Sequence, residues 1–403
     1  MTVRRLFTAL FRFSLRVFYK RIELVGLERV PDGPVIFAVN HPNSLIDPLF
    51  VLCFARRPVT FLAKAPLFHY PVIGWLARAF KGIPVYRKQD ETPGSNLETF
   101  ERAREVLRGG GSIAIFPEGT THSDPQLRQL KTGVARIALG AQLDDLVIVP
   151  TGIYYTAKQV FRSEAMAVYG EAIRITTMEV RELTAAVDAG LDAVTLQADS
   201  HAAFELIARA EDIFTADERQ SLAEEFELRR RFTEGYHYLR AHDPARLERL
   251  ASAIAQLAAE LRRAKLEPHE LQPHVEVARV VRVVVLLPLA AIGAILNYIP
   301  YRLIGFLAKR IAKGEDELIA TIKFLSAFVL FPLTWIAYAF ITPWALIVVP
   351  ILAYIALRIS EDLDDVVGDL RALVRPRDAL VRQRELIREE ILAVAGELTA
   401  PRS

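Results

Sequence analysis

The spacing of apolar residues changes character several times along this chain. Over residues 1–21, Leu6, Phe7, Leu10, Phe13, Val17 and Phe18 recur at helical intervals, while Arg5, Arg12 and Arg16 gather on the other side of the wheel. That pattern predicts an amphipathic helix. From Ile22 to about Ile173, short β-branched runs alternate with helical stretches. Strands are expected at Ile22–Val25, Val35–Val39, Thr60–Ala63, Gly82–Val85, Ser112–Phe116, Val147–Tyr155 and Ala165–Tyr169. Helices near Leu49–Ala55, Val72–Phe80, Leu97–Arg108 and Gly133–Gln142 lie between them. The alternation predicts an α/β fold: a mixed, mostly parallel sheet flanked by helices. From about Glu182 to Leu271 the pattern is helical, with a capping-box pairing of Thr215 and Glu218 and a helix start at Asp243-Pro244. Beyond Val275 the chain is apolar and broken by Pro288, Pro300, Pro332, Pro343 and Pro350, before a charged helix from Pro376 to about Leu398.

The expected organisation is a surface helix (1–21), an α/β domain (22–181), a helical extension (182–274), a membrane-embedded helical region (275–358) and a charged C-terminal helix (359–403). Between Lys323 and Arg358 lie 34 uncharged residues divided by Thr342-Pro343, which predicts a short helical hairpin whose ends return to one side. The stretch Val283–Tyr301 is long enough to cross a bilayer. A single crossing, however, puts Arg302, Lys309, Arg310, Lys313 and Lys323 outside, against the positive-inside tendency. Pro288 and Gly293 would let it bend back, so a re-entrant or interfacial segment is expected, with the α/β domain facing the cytoplasm. Residues 1–21 hold six basic and no acidic side chains, which suits an anionic membrane surface; the same apolar face also suits packing on the protein's own core. Arg12 and Arg16 interrupt the apolar run that a signal peptide needs.

Composition narrows the function classes. A net charge of +2 gives no whole-molecule attraction to nucleic acid. A single cysteine, Cys53, excludes an internal disulfide framework and a zinc-type cluster, and neither a metal nor a cofactor is expected. His69 and His122 read as surface residues. Gly109-Gly110-Gly111 precedes a strand rather than a helix, so it reads as a helix stop and not as a nucleotide loop.

Candidate chemistry lies at predicted strand ends. Asn40-His41-Pro42-Asn43-Ser44-Leu45-Ile46-Asp47 puts a histidine and a carboxylate on one loop. There Asp47 can fix the imidazole tautomer and leave the other nitrogen to take a proton from an alcohol; it can equally cap the next helix. Gly82-Ile83-Pro84-Val85-Tyr86-Arg87 sets an arginine beyond a strand, Phe116-Pro117-Glu118-Gly119-Thr120 a carboxylate and glycine turn, and Val149-Pro150-Thr151-Gly152 closes a fourth end. Ligands of open α/β sheets collect at the carboxyl ends of strands, so these four can share one crevice. Nothing supplies a serine nucleophile in a strand–Gly-x-Ser-x-Gly–helix setting, which argues against hydrolase chemistry.

The order and spacing of these four segments resemble the glycerolipid acyltransferase family, over about Asn40 to Gly152. The resemblance implies His41 as catalytic base, Asp47 as its orienting partner, Arg87, Glu118 and Gly119 at the acceptor, and Pro150 either structural or near the acyl donor. Thr120, beside Glu118 and Gly119, is grouped with the acceptor site. Five residues separate His41 from Asp47 where the family usually has four, and Thr121-His122-Ser123 stands where Arg-Ser often follows Gly-Thr. Lys131, at a predicted helix start, is then a candidate replacement phosphate ligand. The implied partners are acyl-CoA or acyl-ACP as donor, a phosphorylated glycerolipid acceptor and membrane lipid. Lysophosphatidate is the first acceptor expected, glycerol-3-phosphate the alternative, and a non-catalytic membrane lipid-binding protein the reading from another class.

Overall fold

The structure is a computed structural model and describes all residues except 1–2, 70, 87–95, 176–177, 217–219, 273–274, 375–376 and 400–403. In chain order the elements begin with α1 (Val3–Phe18), β1 (Arg21–Val25), β2 (Val35–Val39), α2 (Ile46–Phe54), β3 (Val59–Lys64), α3 (Pro71–Ala79), β4 (Ile83–Val85), α4 (Asn96–Arg108) and β5 (Ser112–Ile115). There follow α5 (Gly133–Ala141), β6 (Val147–Tyr155), β7 (Glu164–Tyr169), β8 (Ile173–Arg174), α6 (Val180–Val194), α7 (His201–Phe214), α8 (Leu222–His242) and α9 (Pro244–Ala264). The last four helices are α10 (Val277–Ala312), α11 (Asp316–Ala339), α12 (Ala345–Val374) and α13 (Asp378–Thr399).

The chain divides into two compact units, one of residues 1–197 with 308–324, the other of 198–307 with 325–403. In the first, the sheet runs β1-β7-β6-β2-β5-β3-β4, with β8 beside β6. All pairings are parallel except β6 with β7 and β6 with β8, so the mixed, mostly parallel sheet is as the alternation implied. The central β2 and β5 are buried along their whole length, because strands covered on both faces are apolar throughout rather than alternating. Their registers align Val35 with Ser112 and with Val147, which brings the carboxyl ends of β2 and β5 level with Pro150 and Thr151 of β6. One side of the sheet is closed by a core in which Ile36, Ile113 and Ile148 meet Leu107 of α4, Ile137 of α5 and Leu183, Val187 and Leu191 of α6.

Helix α1 packs on this unit through Phe11, Leu15 and Phe18, all buried, and Arg12 donates to the Cys53 carbonyl at 2.7 Å. The arginine side is exposed at Arg5, Arg12 and Arg16, as the wheel implied, while the apolar residues divide: Phe11 and Leu15 point inward, and Leu6, Leu10 and Phe13 stay exposed. The glycine run ends α4 as expected: the Gly111 N–H closes on the Val106 carbonyl at 2.9 Å, and Gly110 takes φ +73°.

In the second unit, α9 starts at Pro244 with the Asp243 carboxylate accepting from the Arg246 N–H, as the sequence implied. Glu218 lies outside the described residues; Thr215 follows the end of α7, and the capping box of this region is Ser221 with Glu224. Helix α10 runs unbroken for 36 residues through Pro288, Gly293 and Pro300, so the expected fold-back is absent. Gly293 serves a close approach instead, since a Cβ there would overlap the Leu352 carbonyl of α12.

The hairpin expected at Thr342-Pro343 also takes another form. Trp335 donates to Asn297 and Tyr338 to the Leu296 carbonyl, while Asp362 and Asp365 of α12 pair with Arg282 and Arg279. Both α11 and α12 therefore run opposite to α10, and so parallel to one another.

Candidate active site

The loop after β2 is fixed before its chemistry begins. Asn40 reads the edge of β6 in both directions, its amide donating to the Ile153 carbonyl at 3.1 Å and its carbonyl accepting the Ile153 N–H at 2.7 Å. His41 follows with its ring stacked on Phe116 at 4.1 Å, and its Nδ1 lies 2.8 Å from Asp47 Oδ2. Asp47 is fully buried and His41 is 15% exposed, so the carboxylate is sealed inside while the imidazole keeps an open edge. An ionised carboxylate can only accept, which places the proton on Nδ1 and the lone pair on Nε2.

The extra residue between His41 and Asp47 is absorbed by backbone conformation. Ser44 takes φ +45°, the left-handed region, which tightens the loop so that Asp47 meets the ring from the first turn of α2. Asp47 Oδ2 also accepts the Asn43 N–H at 2.7 Å, and Oδ1 accepts the Tyr155 hydroxyl at 2.7 Å. Tyr155 comes from the far end of β6 and packs on Tyr19 at 5.5 Å; Asn43 donates to the Tyr19 hydroxyl at 3.3 Å. Burial, and then the Asp47 charge, raise both phenols well above their ordinary range, so Tyr155 is a permanent donor.

The turn after β5 holds His41 by its backbone. Glu118 is buried: Oε1 accepts the His41 N–H at 3.0 Å, and Oε2 accepts the Arg128 N–H at 3.1 Å and pairs with His122. The His122 N–H returns to the His41 carbonyl at 3.3 Å. His122 is therefore a buried member of the site rather than a surface residue, while His69 is exposed as expected. Asp124 N–H points at His122 Nδ1, leaving Nε2–H to donate to Glu118. With its oxygens so engaged, Glu118 is a strut for the His41 loop in this structure.

Gly119 adopts φ +75°, a conformation that favours glycine, and the flexible end of the Lys131 side chain lies against it. Lys131 is exposed with its ammonium over the Gly119 turn, and Thr120 is half-buried on the same turn. Both thus lie on or against the turn whose Glu118 holds the His41 N–H. Pro150 is buried within β6 and faces Gly190 of α6, a setting that matches its structural reading. Arg87 lies outside the described residues. Sequence reasoning missed Asn40, Tyr19, Tyr155 and the inward turn of His122; only Tyr155, at the end of a correctly placed strand, carried a usable signal. Among the described residues no group of three or more His, Cys, Asp or Glu could hold a metal.

Residues 21–154 match the family model described as Acyltransferase. A chloroplastic 1-acyl-sn-glycerol-3-phosphate acyltransferase of Arabidopsis thaliana is 32% identical over 143 residues, covering 34% of this chain and 38% of its own. Glycerol-3-phosphate O-acyltransferase 1 of Saccharomyces cerevisiae is 27% identical over 358 residues, covering 62% of this chain and 47% of its own. A crystal structure of the 1-acyl-sn-glycerophosphate acyltransferase PlsC from Thermotoga maritima covers 47% of this chain and 79% of its own at 21% identity, with a TM-score of 0.37. The chain thus spans less than half the length of the two curated relatives. Its segment from Arg21 to Tyr154 belongs to the acyltransferase family.

Proposed function

We propose that this chain transfers a fatty acyl group from a CoA or acyl-carrier-protein thioester to the free hydroxyl of lysophosphatidate. The observation that carries the reading is the His41–Asp47 pair at 2.8 Å, sealed on the Asp47 side and open at the imidazole edge. His41 Nε2 takes the hydroxyl proton as the oxygen attacks the thioester carbonyl; the thiolate leaves and takes a proton from the imidazolium. No acyl-enzyme is needed. Arg87, Lys131 and Thr120 are the proposed phosphate and hydroxyl contacts, with Gly119 giving the acceptor a close backbone approach. Lysophosphatidate is favoured because Leu6, Leu10, Phe13 and Trp75 are all exposed on α1 and α3, an apolar face suited to meeting a membrane-resident acceptor. Glycerol-3-phosphate is the second reading, supported by the 62% of this chain that aligns with a yeast enzyme of that name.

The assay offers labelled acyl-CoA or acyl-ACP to protein in liposomes with each acceptor separately. Lysophosphatidate should yield phosphatidate, and His41→Ala should lower turnover by about two to four orders of magnitude. Wild-type rates in a folded His41→Ala protein refute the mechanism, and product from glycerol-3-phosphate alone selects the second reading.

Membrane attachment rests on α10 and α11, each long and apolar enough to cross a bilayer. Connectivity favours attachment without crossing by α10. Residues 198–276 contain no such span among the described residues, and in the proposed topology Val277 is on the same side of the membrane as His41. Residues 308–324, at the other end of α10, belong to the same compact unit as His41. A continuous helix with both ends on one side lies along the membrane rather than through it, and the basic 302–323 segment favours the cytoplasmic side. Exposed Glu276 and Glu315, each replaced by cysteine, should react with an impermeant maleimide only after lysis of cells. Opposite behaviour of the two sites would mean that α10 crosses, and labelling of both before lysis would place the catalytic unit outside.

A further inference from the structure

The start of α2 carries a need that its own sequence does not meet. The first N–H groups of a helix have no intrahelical partner, and side chains at the N-cap usually supply one. Here the N-cap is Leu45, whose apolar side chain makes no capping hydrogen bond. Its N–H is instead accepted at 3.2 Å by Oγ1 of Thr321, 276 residues further along the chain. Thr321 is buried, and its neighbours Ala320 and Phe324 are buried with it. Phe324 packs on Phe18 at 5.9 Å and on Phe11 at 6.5 Å, so this face of α11 is seated between α1 and the catalytic loop.

One turn earlier on α11, Glu317 accepts from the Ser123 hydroxyl. Lys158, half-buried, donates to Ser123 and to the Pro42 carbonyl, the latter at 3.2 Å. The loop between His41 and Asp47 is therefore gripped at two backbone points, Pro42 C=O through Lys158 and Leu45 N–H through Thr321. Glu317 and Thr321 are four residues apart on one helical face, the spacing that lets one rigid element serve both. None of this lies within residues 21–154 except Ser123 and the loop itself.

We propose that the first turns of α11, through Thr321 and Glu317, form a positioning element that holds the His41–Asp47 loop in its reactive geometry. Thr321 is a positioning residue that touches neither substrate. Lys158 is held against Pro42 by the Ser123–Glu317 chain, so Glu317 acts on the same loop at one remove. The kinetic part of this inference rests on the acyl-transfer reading; the structural part does not, and the test separates them.

The variants are Thr321→Val, which keeps the shape and removes the acceptor, and Thr321→Ser, which keeps the acceptor. Thr321→Val should lower kcat about ten- to a hundred-fold, the scale of misplacing a reacting group by an ångström or less, with both KM values within about twofold of wild type. Thr321→Ser should recover most of the rate. Hydrogen exchange of the intact protein, read by mass spectrometry, should show faster exchange in Thr321→Val confined to peptides covering residues 42–54. Wild-type exchange there, or a rise spread over the whole first unit, overturns the proposal, as does a Thr321→Ser protein as slow as Thr321→Val. A wild-type protein that transfers no acyl group to any acceptor defeats the functional reading alone, because the exchange comparison still decides whether Thr321 holds the loop.

Discussion

Tyr155→Phe isolates one bond in the site. The hydroxyl donates to Asp47 Oδ1 at 2.7 Å, while the ring packs on Tyr19 at 5.5 Å and Phe50 at 6.4 Å. Phenylalanine keeps the ring contacts and removes only the donor. A hydrogen bond to a buried charge contributes roughly 1.5–3 kcal/mol. Because about 1.4 kcal/mol corresponds to a tenfold rate change, the largest kinetic effect is about ten- to a hundred-fold. Asp47 keeps its bonds to His41 and to the Asn43 N–H, which argues for the lower end. Since neither Tyr155 nor Asp47 is placed to touch substrate, the loss should fall on kcat and leave KM for donor and acceptor nearly unchanged. Steady-state kinetics with labelled acyl donor measure it, alongside a thermal unfolding curve. Wild-type turnover by Tyr155→Phe, or a rise in KM alone, would refute an orienting role for the hydroxyl. A fall in stability with full kcat would mean that the hydroxyl only satisfies a buried carboxylate and does not orient the dyad.

Arg87→Leu should remove a charge-assisted phosphate contact of roughly 1.5–3 kcal/mol and raise the acceptor KM about ten- to a hundred-fold; equal loss against the donor contradicts a phosphate role. Ser44→Gly should keep full activity and change stability by less than about 1 kcal/mol, because relief of the left-handed φ offsets the added chain entropy. Ser44→Val should lose both activity and stability, and a silent valine would show that the positive φ is not needed. The Cys53 thiol, pushed up to about 12 by burial, should be inert to a disulfide reagent at pH 8 in the native protein and titrate fully in denaturant. The stabilisation linked to that thiol is present below its ordinary value of 9.0 and is lost as pH rises toward about 12, so chemical unfolding across that window should show declining stability.

What was legible in the sequence was whatever depends on local periodicity. The strands from β1 to β7 fall within a residue or so of the apolar runs that announced them, because a buried parallel strand must be apolar along its length. His41 and Asp47 were legible as a pair, since both lie on one short loop. Glu118 was found but its partners were not: nothing in Phe116-Pro117-Glu118 says that the carboxylate turns inward to the His41 N–H. His122 looked like a surface residue because no neighbouring apolar pattern buries it; a carboxylate four residues earlier does. Thr321 was beyond reach, because a cap supplied across 276 residues leaves no trace in the spacing of either segment. The paths of α10, α11 and α12 were misread for a related reason. Proline and glycine read as bends in the sequence, whereas Gly293 makes room for α12 and Pro288, Pro300, Pro332 and Pro350 are carried inside continuous helices; Pro343 does fall at a break, between α11 and α12.

The five-residue spacing between His41 and Asp47 shows why motif length is a weaker constraint than the geometry it stands for. A base–carboxylate pair needs two things of its loop: a fixed path out of the strand and a carboxylate returned to the ring. Here the path is fixed from outside, by Asn40 on the β6 edge and by the Glu118 turn, which binds both the N–H and the C=O side of His41. With the histidine held independently, the intervening residues must only close the gap. One left-handed residue at Ser44 takes up the extra length, and the Asn43 N–H on Asp47 Oδ2 locks the closed form. A left-handed serine costs on the order of 1 kcal/mol, less than the roughly 1.5–3 kcal/mol of a single hydrogen bond to a charged group. The two bonds that Asp47 gains on closure outweigh that strain, so the longer loop can close, and the contacts of Lys158 with Pro42 and of Thr321 with Leu45 then hold it in place.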